Sequence, residues 1–189
     1  MGLDVFVDTD NYEQIRGKEP DNYFEQHSLS RTFCNFTDWI NSIENGGATE
    51  LEQIGRLTGV DITPIMQMQE YPEEEYIEFQ LSTAESAAEQ QALLTRYEAD
   101  KAALVGNLPA VLTTVQQLLG RLALIDNLPD LLDAHGNDIL GYDYYFTDFL
   151  VDKGQGYIGN NFGQDLRNFE RFLRFAQSHG ATTAWFSYG

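Results

Sequence analysis

The sequence predicts one α+β domain, mainly helical, with a small sheet that includes a strand from each end of the chain. Three observations lead there. Apolar residues recur at spacings of three and four over residues 29–43, 108–122 and 162–176, the pattern of helices with one buried face. Short runs of β-forming residues stand at the two ends, residues 3–7 and 182–188, and pairing them would tie both termini into one sheet. The 189 residues, 42% hydrophobic and 13% aromatic, suffice for a single core. Within that one domain, an acidic part spans residues 1–80, a helical middle 82–135 and an aromatic, Gly-rich part 138–189.

Each element has a local reason. The first strand, 3–7, ends in the turn-forming Asp8-Thr9-Asp10-Asn11. Leu29, Phe33, Phe36, Ile40 and Ile43 mark one helix face, which Asn45-Gly46-Gly47 stops. Thr49 with Glu52 makes a capping box for a short helix carrying Leu51, Ile54 and Leu57, and Gly59 ends it, giving a helical hairpin. Pro64 interrupts. Ile77, Phe79 and Leu81 alternate with Glu78 and Gln80 after the acidic turn 72–75, which predicts a half-buried strand, with extension of the next helix as the alternative. Ser82 and Glu85 form a second capping box opening a long helix to about residue 105, with Arg96 and Asp100 spaced to pair. Leu108, Val111, Leu112, Val115, Leu118, Leu119 and Leu122 form the strongest helical stripe in the chain. The phrase Asn-Leu-Pro at 107 recurs at 127, placing proline where a helix start tolerates it. Tyr142, Tyr144, Tyr145, Phe146 and Phe149 read as a packed cap. Phe162, Leu166, Phe169, Phe172, Leu173 and Ala176 define the last helix, ended by Gly180.

The formal net charge is −19, so a phosphate backbone is repelled and no nucleic-acid partner is expected. Residues 1–80 hold 17 acids and 4 bases, and residues 81–189 hold 13 acids and 7 bases. Most of the field therefore comes from the first part, which can steer a cationic partner. No run approaches the roughly 18 consecutive apolar residues of a membrane helix, and the N-terminus lacks signal-peptide zones. The expectations are no membrane partner and a cytoplasmic location. The single cysteine, Cys34, forms no internal disulfide and reads as a small buried hydrophobe.

Several patterns touch on chemistry. Asp8-Thr9-Asp10 after a strand resembles the motif of haloacid-dehalogenase-like phosphatases, but Tyr12 occupies the motif's Thr or Val position and the middle of the chain is helical rather than alternating. As a calcium loop the same stretch lacks the oxygen ligand at Tyr12 and the glycine at Glu13. Asp8 and Asp10 remain candidate metal ligands. Gly154, Gly156 and Gly159 precede the last helix, without the further strands and the acid of a dinucleotide fold. His27, His135 and His179 have no zinc spacing, and His135 and His179 each precede a glycine near a helix end. Arg31 with Asn35 and Asp38 forms a polar helix stripe that is a candidate ligand-binding set. Arg167, Arg171 and Arg174 form a basic stripe expected to pair within the molecule. The Asn35-Phe36-Thr37 glycosylation triplet lacks a secretory context, and Met1-Gly2 lacks the hydroxyl residue that myristoylation prefers at position six.

The opening Met1-Gly-Leu-Asp-Val-Phe-Val resembles a group of uncharacterised bacterial and phage proteins that begin Met-Gly-Leu-Asp. The polar and aromatic residues of 29–40 and the acidic, tyrosine-rich 143–148 resemble theirs too. The resemblance implies a bacterial or phage origin and no activity. From the residues, the leading expectation is a non-enzymatic acidic binding protein, of inhibitor, immunity or mimic type, that engages a basic protein partner and uses no cofactor. The alternative is a metal-dependent hydrolase or small-molecule-binding protein using Asp8, Asp10, a histidine such as His135, and Arg31.

Overall fold

The structure is a computed structural model that describes residues 5–15, 29–30, 32–33, 48–132, 142–154 and 161–188. In chain order it contains β1 (Val5–Thr9), α1 (Tyr12–Ile15), α2 (Glu50–Thr58), α3 (Thr63–Met66) running into a 3-10 turn (Gln67–Glu70), α4 (Glu74–Thr83), α5 (Ala87–Leu104), α6 (Leu108–Leu122), α7 (Leu128–Leu131), α8 (Tyr142–Tyr145), α9 (Phe162–Ser178) and β2 (Ala184–Tyr188). The architecture is mainly helical, with a two-stranded antiparallel sheet built from the two ends of the chain.

The two strongest stripes in the sequence make the centre. Leu108, Val111, Leu112, Val115, Leu118 and Leu122 of α6 are buried, as are Phe162, Leu166, Phe169, Phe172, Leu173 and Ala176 of α9, and the two helices pack along one another. Each such Leu or Phe side chain gains about 1.5–3 kcal/mol over exposure. One face of the sheet covers them: Val5, Thr9, Ala184 and Phe186 are buried. Strand alternation turns their neighbours outward, and the register places Asp8 opposite Trp185 on that outer face.

Local signals hold where they were strongest. Thr49 Oγ1 accepts from Glu52 N at 3.0 Å and Glu52 accepts from Thr49 N at 2.7 Å, so the capping box of α2 is reciprocal. Gly59 ends α2 at φ 68°, a left-handed conformation that favours glycine. Both Asn-Leu-Pro phrases open helices, α6 and α7, yet the asparagines differ. Asn107 donates to Ala184 O and accepts from Ala184 N, each at 2.8 Å. Asn127 instead sits at φ 56° and donates to Asp130.

Some boundaries and one element differ from expectation. The first strand lies two residues later, so Asp8 belongs to the strand and not to the turn. Residues 77–81 are helical, within α4. A third strand beside β2 would need its outer edge, and side chains already use it: Asn107 holds Ala184, and Glu73 accepts from Tyr188 N at 2.9 Å. Without a strand partner, a segment rich in Glu and Gln takes the helix that satisfies its own backbone. The long helix is capped by Ser86, not Ser82, with Ser86 Oγ accepting from Glu89 N. The Arg96–Asp100 pair forms at 3.7 Å. Tyr145 and Phe146 pack with Phe162 and are buried, while Tyr144 is exposed. Of the helix expected over 29–43, Thr32 and Phe33 are helical, and Phe33 lies between Phe162, Phe169 and Phe186. Its other residues after Phe33, including Cys34, lie outside the described residues.

Candidate functional site: an acidic aromatic groove

The outward face of the sheet begins a groove. Trp185 projects from β2, and Tyr71, which follows the 3-10 turn, stacks on it with ring centroids 4.1 Å apart and planes 13° apart. Lys101 of α5 places Nζ 5.6 Å from the Tyr71 ring centroid, within cation–π range. The space in front of this wall is about 650 Å³, and Asp10, Tyr12, Glu13, Glu98, Val105 and Thr183 contribute to its remaining lining. Lys101 is the one basic side chain among the described lining residues.

The field there is negative. Burial raises the Tyr71 phenol pKa, and the carboxylates of Glu74, Glu98 and Asp8 raise it further, because each disfavours a second negative charge nearby. Asp10 behaves differently. Partial burial works to raise its pKa, but hydrogen bonds from Thr182 and Thr183 outweigh it and hold the carboxyl below the usual value. Thr182 donates to Asp10 through N at 3.0 Å and through Oγ1 at 2.6 Å. Asp10 is thus a clamp between the start of the chain and the approach to β2.

Of the residues singled out from the sequence, Asp8 and Asp10 both come to this region. Among the described residues, no group of three or more His, Cys, Asp or Glu side chains is placed to hold a metal ion. Arg31, Asn35 and Asp38 lie outside the described residues, as do His27, His135, Gly156 and Gly159. His179 caps the end of α9, with Nδ1 2.9 Å from Phe175 O and its ring against Phe175. The arginine stripe pairs within the molecule, with the C-terminal part rather than the acidic N-terminal one. Arg167 donates to the carbonyls of Asp148, Phe149 and Gly163. Arg171 binds both oxygens of Asp152, and Arg174 pairs with Glu170.

Two features were not anticipated from the sequence. One is the Tyr71–Trp185–Lys101 stack, whose members carry no shared local motif. The other is Asp165 in the first turn of α9, 2% exposed. It accepts from Ser30 N at 2.8 Å, Ser30 Oγ at 2.6 Å and Tyr145 Oη at 3.0 Å. Burial lifts its pKa to about 7 against the opposing effect of those three donors. Asn161 caps α9, its Oδ1 accepting from Gln164 N at 2.9 Å. Among the described residues no single helix is long and apolar enough to cross a membrane. No protein-family model matches the chain, and no curated protein or solved structure matches it.

Proposed function

We propose that this is a non-enzymatic binding protein that engages a basic protein partner, in the manner of an inhibitor, immunity factor or charge mimic, and that the acidic aromatic groove receives a lysine or arginine of that partner. The observation that carries the reading is the Tyr71–Trp185 wall set among Asp8, Asp10, Glu13, Glu74 and Glu98. Aromatic faces attract cations, and the surrounding carboxylates raise the local cation concentration.

The chain has two tryptophans, Trp39 and Trp185, so a Trp39→Phe background leaves Trp185 as the reporter. Titration with an oligolysine peptide at low salt is expected to change Trp185 emission saturably, and the response weakens as salt screens the charges. Tyr71→Leu in that background is expected to lower affinity several-fold, in line with about 0.5–2 kcal/mol for a cation on an aromatic face. No emission change with oligolysine, or an equal response to oligoglutamate, would refute the reading.

A further inference from the structure

A second surface lies beyond the groove, on helices that also bring Glu74, Glu98 and Lys101 to it. Helices α4 and α5 form an arm whose outer part has almost no core of its own. No residue of α4 is buried. Of the 18 residues of α5, only Tyr97 and Leu104 are buried, and both lie in its second half. Tyr76 packs edge-on against Tyr97 at 6.4 Å, and Gln90 donates to Leu81 O. These contacts join the two helices and cover Tyr97 but leave other apolar side chains in water. Tyr76, Phe79 and Leu94 are 54%, 61% and 41% exposed. Tyr76 and Phe79 are three residues apart and share a face of α4.

The outer part of this arm, residues 74–95, carries charge of one sign, and Arg96 and Lys101 stand in the second half of α5. Between Arg56 and Arg96 the chain has no Lys or Arg but eight Asp and Glu. Glu74, Glu75 and Glu78 flank the Tyr76–Phe79 pair on α4, and Glu85 and Glu89 stand at the hairpin turn. A ten-residue helix with no fully buried residue is marginal in water, and exposed aromatic side chains gain from being covered. Apolar anchors ringed by carboxylates fit a helix with its own apolar i, i+3, i+4 residues flanked by Lys or Arg. A second copy of the arm is the poorer occupant, because it would bring two unbroken sets of carboxylates together.

We infer that the outer face of the arm, centred on Tyr76, Phe79 and Leu94, docks a basic amphipathic helix of a partner protein. This surface adjoins the groove through Glu74, which acts on Tyr71, but its anchors Tyr76, Phe79 and Leu94 are not lining residues of the groove. Docking adds a third helix to the hairpin and buries the anchors.

The test uses the full chain and a fluorescent Leu/Lys peptide of about 18 residues, long enough for a stable bound helix, with leucines at i, i+3, i+4 spacing. A scrambled peptide of the same composition controls for charge alone. At about 50 mM salt, where a surface field still reaches a ligand, the amphipathic peptide is expected to bind at least about tenfold tighter than the scrambled one, a difference of about 1.4 kcal/mol. Phe79→Ser with Leu94→Ser removes that preference while weak charge-driven binding of both peptides persists. Glu75→Gln with Glu78→Gln lowers affinity for both peptides and flattens the salt dependence. Tyr71→Leu leaves the preference intact, which separates this surface from the groove. Amide exchange across α4 is expected to slow in the complex. Equal binding of the two peptides, or full preference retained in the Phe79→Ser/Leu94→Ser protein, overturns the inference. So does a dimer of the free protein, in sedimentation, that the same double substitution dissolves, since the face then belongs to a second copy.

Discussion

Replacing Asp165 by Asn tests the energetics of the centre of the molecule. The carboxyl lies at the N-terminal turn of α9, buried, with two donors from Ser30 and one from Tyr145. Those donors favour the anion, but removal from water disfavours it more, and the pKa rises from 3.8 to about 7. The folded protein therefore keeps a proton that the unfolded chain has already released. Its stability contribution is full below about pH 4 and is lost as pH rises to about 7. The interval from 3.8 to about 7 corresponds to a loss on the order of 4 kcal/mol. Asn copies the shape of the protonated carboxyl and does not titrate. Urea denaturation of both proteins, run from about pH 4 to about pH 8, is the assay. The stability of the native protein relative to Asp165→Asn is expected to fall across that range. Taking the difference cancels the self-repulsion of the remaining acids, which both proteins share. A difference flat to within about 1 kcal/mol would show that the carboxyl titrates normally. A difference rising with pH would show that the three donors outweigh burial. Either result refutes the reasoning.

Two further substitutions probe how the ends of the chain are held. Asn107→Ala removes both hydrogen bonds to Ala184 and leaves a strand edge unpaired, so thermal or urea unfolding is expected to show a loss of about 2–3 kcal/mol. The equivalent Asn127→Ala, which frees a residue from φ 56° and removes an exposed contact to Asp130, is expected to stay within about 1 kcal/mol of the native protein. Gly163→Ala puts a Cβ 2.7 Å from the Asp148 carbonyl oxygen and 2.8 Å from that of Thr147. Backbone must move to admit it, and a loss of more than about 2 kcal/mol is expected. Faster proteolysis of residues 147–154 should accompany it, because Arg167 then loses its carbonyl partners there.

What could be read from the sequence was short in range. Leu108 to Leu122 and Phe162 to Ala176 declare their buried faces by spacing alone, because a helix returns to the same side every three to four residues whatever it packs against. Thr49 with Glu52, and Gly59 after them, act within a few bonds of one another, so the cap of α2 was visible in the same way. The alternation at Ile77, Phe79 and Leu81 misled because a strand requires an edge to pair with. Whether an edge is open depends on Asn107 and Glu73, which reach β2 from other parts of the chain.

The sequence by itself determined the helical centre, the two terminal strands and the negative field, since periodicity, β-forming runs and charge are properties of residues in order. The candidate site was half legible. Asp8 and Asp10 stood out as acids after a strand, but nothing local linked them to Tyr71, Trp185 or Lys101. Only the tertiary structure decided that Tyr71 stacks on Trp185 beneath Lys101, and that Asp165 is enclosed while Glu74 and Glu98 remain in water. Stacking and desolvation depend on which distant segments the fold closes together, and the same carboxyl group binds or releases its proton according to that enclosure.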